Sequence, residues 1–394
     1  MKKLLFLVLL LSIFMVTSVS AKEVPFEVDS EYVYMVNRNS NEVMYEKNAY
    51  EKMYPASMTK MMSAIVAIEN CDDISSEVTI THDMLSGLYE ANASMAGFNV
   101  NETVTIKDLL YGLMLPSGAE CAYALGYTLF GSIDNYVSMM NEKAKMLKMN
   151  DTHFVNPTGL HNDDHYSTCY DLSILLDYCL DNDIFYQIFT CDRYIASNGL
   201  ELSSTSLTRL DDNSYIAGAK TGFTNLALRC LASFANYREE YIIISGHASS
   251  SEKAIEDADK LYKFFYDNYH YVDIYHADEV IDVTNVKYSI SDNKYPVIVN
   301  EDIGLTVANE YSITIDKYEL EAPIDVGDKI GTIFVKTDGE SFSYPVLATK
   351  SVDRNFIVYL FWPIISFVVS YPRASIDILL LFICLIVIVR IIRR

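Results

Sequence analysis

The stretch Pro55-Ala56-Ser57-Met58-Thr59-Lys60, continuing as Met61-Met62-Ser63-Ala64-Ile65-Val66-Ala67-Ile68, decides how this chain is read. Apolar side chains at 58, 61, 62, 65, 66 and 68 repeat at a period near 3.6, which predicts a helix. Pro55 suits its entrance, where no backbone N–H is needed. Ser57 then falls in the first turn, near the positive helix end, and Lys60, three residues on, shares its face. A serine hydroxyl is a poor nucleophile until a neighbour takes its proton. An amine whose pKa is lowered by burial or a nearby cation can be that neighbour. Alone, the pair fits a helix-start serine beside a solvated lysine better than a catalytic pair, so partners elsewhere must decide.

The chain has 394 residues, enough for one large domain and a smaller one. Its formal net charge is −23, and residues 22–350 are more acidic still because both ends are net positive. Such a body excludes nucleic acid or an anionic membrane surface as its main partner. The cysteines number seven, with no Cys-x-x-Cys spacing, so neither a zinc knuckle nor a redox motif is indicated. Most read as small core hydrophobes, with room for one disulfide.

Residues 1–21 read as a secretory signal peptide: Lys2-Lys3, the apolar run Leu4 to Val16, and Val19-Ser20-Ala21 for cleavage. Glu31–Val36 and Glu42–Lys47 alternate as a hairpin. Helices are predicted over Ile106–Met114, Glu120–Phe130, Ile133–Lys148 and Thr168–Leu180, the last capped by Ser167. Arg229–Ala235 and Tyr241–Ser245 read as buried strands, and Ser249-x-x-Glu252 as a capping box opening a helix to about Tyr269. Strands at both ends of a helical middle imply an α+β fold, with an antiparallel sheet sandwiched by helices. Residues 272–352 carry short Val-, Ile-, Thr- and Tyr-rich segments between turns such as Asp325-Val326-Gly327-Asp328, a small all-β domain. In the tail 353–394, Phe356–Val369 reads as an interfacial segment and Ile376–Ile392, before Arg393-Arg394, as a C-terminal transmembrane anchor in the lipid bilayer.

Two further stretches give Ser57 and Lys60 company. Leu115-Pro116-Ser117-Gly118-Ala119 presents Ser117 on a turn between helices, and Gly218-Ala219-Lys220-Thr221-Gly222-Phe223 presents Lys220 at a strand edge, its glycines allowing close backbone approach. The order Ser-x-x-Lys, Ser-Gly-x, Lys-Thr-Gly matches the signature set of penicillin-recognising serine acyltransferases. With it comes Phe154-Val155-Asn156-Pro157-Thr158-Gly159-Leu160-His161, then His165-Tyr166-Ser167-Thr168. From about Val24 to Val352 the chain resembles the D-alanyl-D-alanine carboxypeptidases, the low-molecular-mass penicillin-binding proteins.

The resemblance implies a β-lactamase/transpeptidase-like domain over residues 22–271 with a helical subdomain, exported and held at the outer face of the membrane. It implies that Ser57 attacks the penultimate D-alanine carbonyl of a peptidoglycan stem peptide ending in D-Ala-D-Ala. Lys60 takes the Ser57 proton, and Ser117 relays one to the leaving D-alanine. Lys220 and Thr221 hold the terminal carboxylate, Gly222 lets the strand approach, and the N–H groups of Ser57 and Phe223 form the oxyanion hole. β-Lactams acylate the same serine. No cofactor is needed; His161 and His165 are spaced to chelate a metal but lack a third ligand, so no metal is expected. Two positions depart from the family: Ala119 where Asn is usual, and Leu228 where Gly is usual. The alternatives are a weak or inactive peptidoglycan-binding relative, which Ala119 favours, and a β-lactamase, against which stands the lack of a Glu-x-x-x-Asn element between Ser117 and Lys220.

Overall fold

The computed structural model describes residues 22–289, 294–308, 310–337 and 339–373, with 375, 376, 378–381 and 383. The signal-peptide reading of residues 1–21 and most of the anchor reading of Ile376–Ile392 lie outside the described residues. Among those described, no helix is long and apolar enough to cross a membrane. The chain divides into two compact units, the first ending at His270 and the second starting at Tyr271.

In the first unit, β1 (Tyr32–Asn37) and β2 (Val43–Lys47) form the expected hairpin. A 3₁₀ turn, Ala56–Met58, runs directly into α1 (Thr59–Glu69). Residues 59–68 of α1 are all buried, so this helix is the centre of the core and not a surface helix with one apolar stripe. Burying Met61, Met62 and Ile65 contributes roughly 1.5–3 kcal/mol each. A small pair, β3 (Glu77–Thr79) and β4 (Thr103–Thr105), precedes α2 (Ile106–Met114), whose start is fixed by a reciprocal Thr105–Asp108 capping box. Then come α3 (Ala119–Phe130), α4 (Ile133–Met146), α5 (Cys169–Leu180) and α6 (Asp183–Phe189). The pair β5 (Arg193–Ile195) and β6 (Glu201–Ser203) leads to β7 (Gly218–Thr224), β8 (Leu228–Ala235), β9 (Tyr241–Ala248) and α7 (Ser251–Asn268). The main sheet has the order β2-β1-β9-β8-β7 and every pairing is antiparallel. Strands far apart in sequence thus close one sheet, with β7 at its edge.

Two cap assignments change. Ser167 does not cap α5: its backbone is bridged to Met53 at 2.8 and 2.9 Å, and Thr168 instead accepts the Asp171 N–H at 2.9 Å. Ser249 does not cap α7, because its N–H is drawn to the Asp29 carboxylate at 2.7 Å; Ser250 caps it, accepting from Lys253 N–H at 3.2 Å. The described cysteines, Cys71, Cys121, Cys169, Cys179, Cys191 and Cys230, are free thiols.

β10 (Tyr269–Tyr275) runs from the end of the first unit into the second, the small β domain, which continues through β11 (Val280–Lys287), β12 (Lys294–Ile298), β13 (Ile303–Ala308), β14 (Tyr311–Lys317), β15 (Leu320–Glu321) and β16 (Lys329–Thr337) to β17 (Glu340–Leu347). Alternating residues such as Ile333 and Val335 of β16 enter its core with Val297 and Val307. It ends in α8 (Phe356–Ser370), capped by Asn355, with Pro363 inside; Tyr359 and Trp362 lie edge-on to Tyr288.

Candidate active site

Ser57 sits in the 3₁₀ turn and Lys60 one turn later in α1, and the Lys60 Nζ lies 3.2 Å from Ser57 Oγ. Ser117 comes from the link between α2 and α3, where its φ of +69° turns the chain sharply. Lys60 Nζ donates to the Ser117 carbonyl at 2.9 Å and to Ser117 Oγ at 3.1 Å. From β7, Lys220 Nζ donates to the same Oγ at 3.0 Å and to the Thr221 carbonyl at 3.0 Å. Four residues spread over 164 positions of sequence thus make one hydrogen-bonded chain, Ser57–Lys60–Ser117–Lys220.

Both amines are buried, Lys60 at 2% and Lys220 at 1% exposure. Burial pushes the Lys60 amine down to about 8, opposed by the Glu120 charge. Burial and the neighbouring Lys60 hold Lys220 well below the ordinary lysine range. A neutral Lys60 can accept the Ser57 hydroxyl proton while its two N–H bonds serve Ser117. Glu120, next to Ala119, is fully buried; it accepts the N–H groups of Ala96 and Gly97 at 2.7 and 2.8 Å, and desolvation pushes its carboxyl up.

Thr221, Gly222 and Phe223 line a crevice of about 330 Å³ together with Ser57 and Ser117. A methyl group on Gly222 would stand 3.0 Å from Ser57 N, so glycine leaves that N–H reachable. Lys220 itself is not on the crevice wall; its amine is turned to Ser117, which is. Thr221 Oγ1 is on the wall, 2.7 Å from Thr205 Oγ1. Ala119 is buried as the first residue of α3, and its N–H is tied to the Ser94 carbonyl at 2.8 Å. Leu228 has φ +51°, which explains why glycine is favoured there and which costs on the order of 1–2 kcal/mol for leucine.

Sequence reasoning missed the groups behind the nucleophile. The Asn156 side chain accepts from Thr158 N, Thr158 Oγ1 and Gly159 N and donates to the Leu160 carbonyl, shaping a loop that packs against the Ser57 turn. Ser63 Oγ donates to the Pro157 carbonyl at 2.7 Å. His165 is no metal ligand in this arrangement: its Nδ1 accepts the Val155 N–H at 3.0 Å, so Nε2–H donates to Thr59 Oγ1 at 2.8 Å. His161 packs edge-on against Tyr54. The Asn-Pro-Thr-Gly run was a visible signal for the loop; nothing in the sequence pairs His165 with Thr59.

A nucleophile turn leading into a buried helix, two lysines meeting at one serine hydroxyl, and a glycine-bearing edge strand make a site able to carry out serine acyl transfer. Residues 16–245 match the D-alanyl-D-alanine carboxypeptidase family, and the chain belongs to that family of serine peptidases. Residues 269–354 match the domain described as penicillin-binding protein 5, C-terminal domain. The chain is 28% identical to D-alanyl-D-alanine carboxypeptidase DacF of Bacillus subtilis over 83% of its own length and 87% of that protein's. Penicillin-binding protein 5 from Haemophilus influenzae shares its fold, with a TM-score of 0.69 at 22% identity, covering 84% of this chain and 100% of that one. The Streptomyces K15 DD-transpeptidase is 27% identical with a TM-score of 0.58, over 62% of this chain and 100% of that one.

Proposed function

We propose that this chain removes the terminal D-alanine from peptidoglycan stem peptides through an acyl-enzyme on Ser57, and that β-lactams acylate the same residue. The observation that carries this reading is the buried Lys60 amine, 3.2 Å from Ser57 Oγ and lowered to about 8. Neutral Lys60 takes the Ser57 proton as the Oγ–carbon bond forms at the penultimate D-alanine carbonyl. The N–H groups of Ser57 and Phe223 receive the oxyanion. Ser117, held by both amines, passes a proton to the departing nitrogen as the carbon–nitrogen bond breaks and free D-alanine leaves. Water then adds to the ester, and its proton returns to Ser57 Oγ. Lys220 serves by orienting and polarising Ser117, and Thr221 offers its hydroxyl to the substrate carboxylate.

The test is covalent labelling with a fluorescent penicillin, followed by assay of D-alanine release from a pentapeptide, for wild type and Ser57→Ala. Wild type should be labelled and release D-alanine, and the variant should do neither. Absence of both in the wild type would favour a wall-binding protein that keeps the fold. Rapid penicillin turnover without peptide cleavage would make it a β-lactamase.

The same reading places the enzyme outside the cell at the membrane. Support comes from α8, where Phe356, Ile357, Leu360 and Ile364 are exposed. Flotation of the full chain with vesicles, lost on removing residues 353–394, is the expected result.

A further inference from the structure

Beside the nucleophile turn lies a second pocket that the catalytic chain does not use. Its volume is about 290 Å³, at the small end of ligand sites. Tyr54, three residues before Ser57, stands on its wall with Lys52, Tyr32 of β1, Tyr166 and His247 of β9. Leu226, in the turn between β7 and β8, closes it on the side of the edge strand.

The roles given to β7 point a bound substrate toward this pocket. Thr221 meets the substrate carboxylate and the Phe223 N–H meets the oxyanion, so the rest of the peptide runs on past Thr224. Leu226 is three residues beyond Phe223, up to about 10 Å along an extended chain. A pentapeptide stem has three residues between its penultimate D-alanine and the sugar that carries it. Those three also cover about 10 Å when extended. The sugar end of the stem therefore arrives beside Leu226 and Tyr54.

The walls suit an uncharged ring with apolar faces and polar edges. Tyr32, Tyr54 and Tyr166 supply aromatic surface. Among the described residues, neither the Tyr54 nor the Tyr166 hydroxyl is hydrogen-bonded within the chain, so both can serve a ligand. Each charge at the pocket already has a counter-charge. Lys52 has Asp151 at 3.8 Å, Asp163 has His161 at 3.3 Å, and His247 Nδ1 meets Glu31. Such a pocket selects no ion. The Lys52 ammonium lies 4.1 Å from the centre of the Tyr166 ring, where its N–H groups can donate to hydroxyls. An amino sugar whose acid group is consumed in its amide bond to the stem meets these conditions: it is neutral, with C–H faces and hydroxyl edges. Aromatic surface continues outward. Tyr34, two residues after Tyr32 on the same face of β1, packs 5.5 Å from Tyr170 and 6.2 Å from Tyr50. Tyr170 and Tyr50 are 37% and 56% exposed, and offer further ring faces to neighbouring sugars of a glycan strand.

We infer that this pocket is a subsite for the N-acetylated sugar that bears the stem peptide, so that the enzyme acts preferentially on stems still attached to glycan. The inference rests on the carboxypeptidase reading above and narrows its substrate class.

The experiment compares a free pentapeptide with the same pentapeptide on N-acetylmuramic acid, following D-alanine release by the full chain. Wild type should favour the sugar-bearing substrate about 10-fold in kcat/KM, through KM, the worth of one stacked ring and a hydrogen bond or two. Tyr166→Ala should bring the ratio of the two substrates close to one. Leu226→Asp, at a position 55% exposed, sets an uncompensated charge on the wall and should do the same. It carries the comparison should Tyr166→Ala lose its thermal transition. A ratio of one in the wild type, or an unchanged ratio in the folded variants, overturns the subsite. Saturation-transfer NMR with N-acetylmuramyl-L-alanyl-D-isoglutamine, which lacks the scissile bond, reads the pocket without turnover. Binding that is weakened in the variants supports the subsite even if neither substrate releases D-alanine, a result that overturns the catalytic reading alone. No binding to the wild type at millimolar ligand overturns the subsite and leaves the catalytic reading standing.

Discussion

Gly159 lies so close to Ala56 that a methyl group on it would stand 1.8 Å from the Ala56 carbonyl oxygen. The residue is also left-handed, at φ +80°. Ala56 immediately precedes Ser57, so this contact sets the height of the nucleophile from behind. Gly159→Ala should therefore both strain the Asn156 loop and push the Ser57 turn toward β7. A cost of about 2–3 kcal/mol is expected, a fall of about 5–10 °C in the thermal transition. Penicillin acylation should fall further than stability explains, and a variant with wild-type acylation would show that the loop does not position Ser57.

His165 braces α1 in the neutral form, its Nδ1 accepting from Val155 and its Nε2–H donating to Thr59. Burial pushes its pKa down to about 4 from 6.5. Below pH 6.5 the unfolded chain binds a proton that the folded one refuses. Stability from this residue is therefore complete above about 6.5 and is lost as the pH falls toward 4, by about 3 kcal/mol. Urea melts between pH 7 and 4.5 should show a shallower pH dependence for His165→Gln than for wild type. Parallel curves would mean that His165 does not titrate in this window.

Much of this was legible in the chain because it rests on local chemistry. The 3.6-residue period after Ser57 found α1, and the alternation of Glu42–Lys47 found β2. The three motifs gave Ser57, Lys60, Ser117 and Lys220, and the fold brings them within 3.2 Å of one another in sequence along the hydrogen-bonded chain. What stayed hidden depends on distant groups. Ser167 looked like a cap until its pairing with Met53, more than a hundred residues away, claimed its backbone. The charge of Lys220 is visible in sequence, but the bond of its amine to Ser117, 103 residues away, is not.

The protonation of Lys60 gives a pH signature. With its amine lowered to about 8, the fraction able to accept the Ser57 proton rises as the pH rises through 8 and falls below it. The second-order acylation rate with penicillin, which involves no D-alanine departure, should follow that rise. Glu120 raises the Lys60 pKa, so Glu120→Gln should move the midpoint to lower pH. Lys60→Ala should abolish the rise and cost about 10²–10⁴-fold, the usual worth of a general base. A wild-type rate that is flat from pH 6 to 9 would remove Lys60 from that role.

Lys220 belongs to the proton path of the site, and its loss should show on every substrate. Lys220 is buried and bonded to Ser117 Oγ at 3.0 Å, so it acts on the proton path that every substrate uses. Lys220→Ala leaves the Ser117 hydroxyl with Lys60 alone and should slow peptide cleavage about 10²-fold or more. The loss should be the same for free-acid and amidated peptides, so the preference for the acid survives at a lower rate. Strained β-lactams need less help in expelling nitrogen, so their acylation should fall less than peptide cleavage. Ser117→Ala should reproduce this pattern, because both changes break one relay. Each variant must keep the wild-type thermal transition for the comparison to count. If Lys220→Ala instead loses its preference for the free acid while amide cleavage is spared, then the buried amine serves the substrate carboxylate and not the proton path.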